Sequence, residues 1–210
     1  LTKLVSRSLI TLVLLSSLIS FLKFNHCRNN DFTSPDNYIH ACYTDIPALF
    51  SERGLNTNTF PYLSAANSME YPPVTGLFAW AISFITPNSS NVLYFDLNIL
   101  FLIMMYFISA LILKALAPKY LYLFLASPAV IASLFINWDL IAVASALLTV
   151  YFFEKKKYEE SAIALGNQLQ LSFFHSFDAT NNDIFSPKQA NIDFSQIFIN
   201  IFVYNTKCGI

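Results

Sequence analysis

A chain of 210 residues has the length of one ordinary soluble domain, but 55% of it is apolar and only 12% charged, against about 45–50% and about 25% in soluble domains. So few charges cannot clothe that much hydrocarbon in water, which makes lipid the solvent for much of the chain. The net charge of −1, with no Lys/Arg block suited to a phosphate backbone, excludes a basic nucleic-acid binder, and three Cys exclude a disulfide-built scaffold.

The sequence begins at Leu1 rather than Met, and Lys3 and Arg7 precede an apolar run over 9–24. This is the pattern of a signal peptide or a signal anchor. The flank Lys23-Phe24-Asn25-His26-Cys27 offers no small-x-small cleavage site, so an anchor is expected, with a cytoplasmic N-terminus and residues 25 onward outside. Residues 25–71 are polar and rich in Asn, Ser, Pro and Tyr. The apolar run 72–86, bracketed by Pro72-Pro73 and Pro87, falls short of the roughly 20 residues a crossing needs and is expected to lie in the interface. Residues 92–113 are long enough to cross, with Lys114 and Lys119 behind them. Two more apolar runs, 120–136 and 140–153, are separated only by Asn137-Trp138-Asp139, and the second ends in Glu154-Lys155-Lys156-Lys157.

If 72–86 crossed, Lys155–Lys157 would fall outside. If it stays in the outer interface, every basic turn falls on the cytoplasmic side, as the positive-inside rule asks. The expected fold is therefore an all-α polytopic membrane protein with spans at 8–24, 92–113, 119–136 and 138–154, and a fifth crossing beginning near Ser161. A large outer loop, 25–91, carries short interfacial helices. The same arithmetic predicts a multi-pass protein of the plasma membrane and puts Asn137-Trp138-Asp139 on the face of the outer loop.

Within that loop, Ile46, Leu49, Phe50 and, loosely, Leu55 have the spacing of a short amphipathic helix stopped by Gly54, with Asp45 expected at its N-cap. One reading of Asp45 is a helix cap. The other is a general base, because a carboxylate at the lip of the bilayer suits a lipid-linked substrate. Arg53 is the one cation in the middle of the loop. It is either a phosphate grip, which a guanidinium performs bidentately, or a solvated side chain at a helix C-terminus. Glu70 and Asp139 are candidates for sugar hydroxyls, with Asn137 in the same turn as Asp139. Trp138 is a candidate stacking platform, although a belt residue at the membrane interface is the preferred reading; Asp139 has the alternative of capping the last span. Tyr71, grouped with the same substrate-binding set, is expected to pack near the interface.

The motifs Tyr43-x-Asp45-Ile46, Glu52-Arg53-Gly54-Leu55, Pro61-Tyr62, Glu70-Tyr71-Pro72, Thr75-Gly76 and Phe135-x-Asn137-Trp138-Asp139-Leu140-x-Ala142-Val143 together resemble glycosyltransferase family 87. Its members are polytopic mannosyltransferase-like proteins of the GT-C superfold. The resemblance runs from about residue 1 to 166. It implies a polyprenyl-phosphate sugar as donor, usually mannose, and a glycan or glycolipid acceptor on the outer face. It also implies that an acidic residue of the first outer loop is the base, which falls on Asp45. No separate cofactor is expected.

His26 and His40 flank Cys27 and Cys42. The spacing matches no compact zinc pattern, so no metal is expected there; a Cys27–Cys42 disulfide is the better reading if the loop faces an oxidising compartment. After Gly166 the family would continue as a helix ending in Lys-x-aromatic-Pro, whereas 167–210 turn polar and patternless. Read one frame over, the codons of 167–175 permit Ser-Thr-Ala-Thr-Lys-Phe-Phe-Pro. The expectation is an N-terminal module over 1–166 followed by an out-of-frame tail over 167–210, and a chain so truncated is expected to fold poorly or lack activity. The competing readings are a transporter component, which would want ionisable groups in mid-membrane, and a non-catalytic membrane protein that keeps the loop as a binding surface.

Overall fold

Ser6 starts the first helix, α1 (Arg7–Asn29), by accepting the Leu9 N–H on its hydroxyl, which satisfies one of the orphan donors of the first turn. In this computed structural model the described residues are 6–62 and 68–166. They belong to one unit, Leu1–Ser176; a second unit, Phe177–Ile210, lies wholly outside them, as do the expected out-of-frame tail and everything a fifth crossing would need beyond 166. The described residues form helices and 3-10 turns, with no strand among them.

Helix α1 runs past the expected end at residue 24 and carries His26, Cys27 and Arg28 on its last turn. Its buried stripe is Leu9, Val13, Ser16, Ser17, Ser20, Phe24 and Cys27, while Leu14, Leu15, Leu18, Ile19 and Leu22 are exposed. Three serines join Leu9, Val13, Phe24 and Cys27 on the inside while leucines face outward, an apolar outer face that suits a helix whose outer solvent is hydrocarbon. The Ser16 hydroxyl lies 2.7 Å from the Leu12 carbonyl, so the helix itself satisfies it.

After α2 (Asp36–Ile39) and α3 (Asp45–Glu52) the chain makes a 3-10 turn at Leu55–Thr57. Gly54 ends α3 in the left-handed region, at φ 72°, where a Cβ would be strained. Helix α4 (Pro73–Phe84) covers the short apolar run, with Pro73 in its first turn where the missing N–H costs no bond. Helix α5 (Asn91–Leu116) is the longest, 26 residues, or about 39 Å at 1.5 Å per residue. Among the described residues, α1 and α5 are the two helices long and apolar enough to cross a membrane.

The run 119–136, expected as one span, is not one helix. A 3-10 turn at Pro118–Tyr120 leads into α6 (Leu121–Ala126), which stops before α7 (Pro128–Ser133). Pro128 has no N–H to continue the ladder and pushes the residue before it out of the helical region; Ser127 is extended, at ψ 124°. An irregular turn through residues 134–138 then enters α8 (Asp139–Glu154), 16 residues long. Apolarity alone does not distinguish a broken pair of short helices from a span.

Helix α5 is the hub. It packs against α8, α3, α1, α4 and α6, and Phe50 of α3 stacks on Tyr94 of α5 at 4.0 Å. Arg28 at the end of α1 grips Asp96 near the start of α5 with two bonds, 2.8 and 2.5 Å, so these helices run antiparallel. Trp138, just ahead of α8, bonds Asn98 near the start of α5; α8 therefore starts at the same end as α5. That end carries the loop. Lys114 at the far end of α5 and Lys155–Lys157 after α8 lie away from it.

Candidate functional site

Asp45 is the centre of the loop end. The residue before it does the capping: Thr44 accepts the Ile46 N–H on its hydroxyl at 3.3 Å. The same hydroxyl lies 2.9 Å from the Phe135 carbonyl and 3.0 Å from that of Ile136, and the Asp45 N–H donates to Ile136 at 2.8 Å. The expected cap role of Asp45 is therefore taken by Thr44. Asp45 is the first helical residue of α3, and its carboxylate is left for other partners. Tyr71 supplies one, its hydroxyl donating to Oδ2 at 2.6 Å.

Two tyrosines attend this carboxylate. Burial first, and then the hydrogen bond to Asp45 and its negative charge, hold the Tyr71 hydroxyl far above the ordinary tyrosine range. Burial, followed by the charge of Asp45, does the same for Tyr43. Both remain protonated beside Asp45, because an anion beside an anion in a half-buried site is the costlier state. Tyr71, expected to pack, does pack against the core, and beyond that its hydroxyl is a hydrogen-bond donor to the carboxylate.

Tyr71 is itself set by Tyr62, whose hydroxyl lies 2.8 Å from the Tyr71 carbonyl and 3.0 Å from that of Pro72. That contact needs Gly76 in α4, since a Cβ there would sit 1.9 Å from the Tyr62 oxygen. Burial pushes the Tyr62 hydroxyl up to about 12. The short motifs Pro61-Tyr62, Glu70-Tyr71-Pro72 and Thr75-Gly76 thus form one positioning device.

The turn before α8 faces this device. Trp138 is 1% exposed, so it is a core residue and not a belt residue at an interface. Its indole N–H donates to Asn98 at 2.7 Å, and its ring meets Tyr71 edge-on at 5.2 Å. Asn98 in turn donates to the Tyr94 carbonyl at 2.8 Å, which orients the acceptor that Trp138 needs. Asp139 is the first helical residue of α8 and not its cap. The Asn137 side chain receives the Asp139 N–H at 3.1 Å and donates to its carboxylate at 2.9 Å. A cavity of about 220 Å³ is bordered by Glu70, Tyr71, Thr75, Trp138 and Asp139. A second, of about 310 Å³, is bordered by Tyr38, Tyr43, Thr44, Glu52 and Asn91.

Arg53 caps the C-terminus of α3 and pairs with Glu70. An anion would have to compete with Glu70 for that guanidinium. The chain thus brings Asp45, Glu70, Tyr71, Asn137, Trp138 and Asp139 to one end, with Arg53 held through Glu70. Sequence reasoning missed Thr44, Tyr62 and Asn98 as positioning residues. Asn98 had a readable signal, an amide inside a long apolar run. Cys27 and Cys42 are joined in a disulfide, which fastens the end of α1 to the strand of loop leading into Thr44 and Asp45.

No protein-family model, characterised protein or solved structure matches this chain.

Proposed function

We propose that the chain is the N-terminal membrane part of a GT-C-like glycosyltransferase that moves a sugar, mannose by the motif resemblance, from a polyprenyl-phosphate donor to a glycan or glycolipid. The observation that carries this reading is the Asp45 carboxylate, relieved of capping by Thr44 and held at 2.6 Å by Tyr71, which itself borders a cavity with Trp138 and Asp139. On this reading α1, α5, the broken α6–α7 segment and α8 form a multi-pass bundle in the plasma membrane, with the loop end extracytoplasmic. The apolar outer face of α1 and the placement of Lys114 and Lys155–Lys157 away from the loop support it.

The chemistry follows from the placement. A sugar carried on a polyprenyl monophosphate presents its anomeric carbon near the headgroup plane. The acceptor oxygen attacks that carbon from the face opposite the phosphate, and the bond from the anomeric carbon to the phosphate oxygen breaks. Configuration inverts, and Asp45 receives the acceptor's proton. Tyr71 fixes Oδ2 of that carboxylate. The polyprenyl phosphate departs as a dianion, and Arg53, exchanging Glu70 for phosphate oxygens, is the cation available to it. Asp139 and Asn137 offer acceptors and donors to sugar hydroxyls across the cavity.

The test is transfer of radiolabelled sugar from a polyprenyl-phosphate donor to membrane glycolipids by the purified chain, beside Asp45→Asn. Loss of about 10²-fold or more in the variant supports a base. Equal transfer by both proteins removes Asp45 from that role. No transfer by the wild-type chain favours a binding protein that retains the loop.

A further inference from the structure

The geometry points to a divalent transition-metal site, with Zn²⁺ its best match, formed by His26, Asp36 and His40. It lies apart from the Asp45 site and does not depend on sugar transfer. Cys27 and Cys42 bond each other, so they offer no thiolate to the two histidines beside them in sequence. Both histidines instead converge on Asp36, a residue that His/Cys spacing could not have linked to them. His26 Nε2 lies 2.9 Å from one carboxylate oxygen and His40 Nε2 lies 3.2 Å from the other. The three ligand atoms lie within 4.8 Å of one another. A tetrahedral ion with bonds of about 2.0–2.1 Å holds its ligand atoms roughly 3.3 Å apart, so closing the widest separation by about 1.5 Å at most, shared between exposed side chains, seats it.

The backbone beneath the cluster is fixed independently of any ion. His26 rides on the last turn of α1, next to the disulfide. Asp36 and His40 are four residues apart across the single turn of α2, which puts both side chains on one side. The Cys42 N–H donates to the Asn37 carbonyl at 3.0 Å, so the segment after His40 is tied on both sides of the bridge. Ligands from two segments, joined covalently a residue or two away, lose little freedom on binding.

The donor set decides the kind of ion. Two imidazoles and one carboxylate suit Zn²⁺ and its first-row neighbours, whereas Mg²⁺ and Ca²⁺ prefer oxygen. Asn30 supplies the outer support, donating through Nδ2 to the Asp36 carboxylate. Its Oδ1 is buried with no partner among the described residues, an acceptor that a metal-bound water would satisfy. The three side chains are 56%, 30% and 48% exposed, so the ion has an entry path and a free position for water or an outside ligand. Such an ion would staple the end of α1 to α2 beside the disulfide.

The experiment uses the full chain in detergent, cysteine bridge intact, carrying His175→Ala and Cys208→Ser so that no other His or thiol competes. Titration with Co²⁺ is followed by its visible absorption, and Zn²⁺ by calorimetry and by displacement of Co²⁺. One saturable equivalent is expected, with affinity lowered at least tenfold in His26→Ala, His40→Ala and Asp36→Asn, and unchanged in Asp31→Asn. Metal-free thermal unfolding of each variant checks the fold, and His40→Gln replaces any variant that fails it. Absence of saturable binding, or equal affinity in the ligand variants, overturns the site.

Discussion

Asp45 and Asp139 stand at equivalent places in two different regions, each the first residue of a helix leaving the loop end, yet their side chains do opposite things. Asp139 is turned back on its own segment, bonded to Asn137 two residues earlier. Asp45 is released from its segment because Thr44 takes the capping bond, and it meets a tyrosine 26 residues away. A carboxylate at a helix start is favoured by the dipole in both cases. The difference lies in the neighbour, a hydroxyl that caps in one region and an amide that binds the carboxylate itself in the other. Position on a helix therefore does not assign a role; what a side chain one or two residues earlier does with the free N–H groups and the carboxylate decides it.

Removing the distinctive group of the first region has the largest expected effect. Asp45→Asn keeps the shape and the Tyr71 contact but loses the base, and transfer is expected to fall by about 10²–10⁴, whereas Asp139→Asn is expected to cost at most about tenfold, chiefly through KM. Equal losses at both positions would erase the distinction drawn between them. Trp138→Phe comes next, because it removes the indole N–H that Asn98 accepts in a fully buried place. An orphaned buried acceptor costs about 1–3 kcal/mol, to be read as a lower thermal midpoint in detergent. Gly76→Ala is expected to fall in the same range, about 1–3 kcal/mol, since its methyl collides with Tyr62 and the ring must move. Its sharper readout is that Tyr71 loses its backbone anchor, so transfer should fall further than stability alone explains.

Much of this was legible in the sequence. The apolar run of α1, the length of α5, the short helix ended by Gly54 and the gathering of Asp45 with the Asn137-Trp138-Asp139 turn all follow from spacing and composition. What was not legible has physical causes. Apolarity from 120 to 136 reads as a span, but Pro128 breaks the hydrogen-bond ladder, and that local veto outweighs hydropathy. Trp138 reads as a belt residue by type, and only the arrival of Asn98 and Tyr71 from distant segments shows it to be core. Asp36 carried no signal because its histidine partners come from both sides of a loop whose path the disulfide and the α1 end determine.

Tyr71→Phe sharpens the comparison by pH. The Tyr71 hydroxyl is held above its ordinary range by burial and by Asp45. Its contribution to stability is therefore fully present below about pH 10, where the unfolded tyrosine keeps its proton, and is lost as pH rises beyond that. The penalty of the Phe variant is expected to stay constant from pH 7 to about 9 and to shrink above about 10; a penalty that grows with pH would reverse the assignment of donor and acceptor.

The smallest expected effect tests the second region alone. Asn137→Ala removes the amide that receives the Asp139 N–H and holds its carboxylate, a loss of roughly 0.5–1 kcal/mol for a partly exposed cap of this kind. Asp139 should then swing free while Asp45 stays where it is, since its N–H donates to Ile136 and its neighbour Thr44 bonds the carbonyls of Phe135 and Ile136, none of them through Asn137. Transfer through Asp45 is expected to change by less than about threefold, with any change in KM. If kcat instead falls as it does for Asp45→Asn, the turn before α8 acts on the base directly, and the two carboxylates are one catalytic unit rather than a base and a binding group.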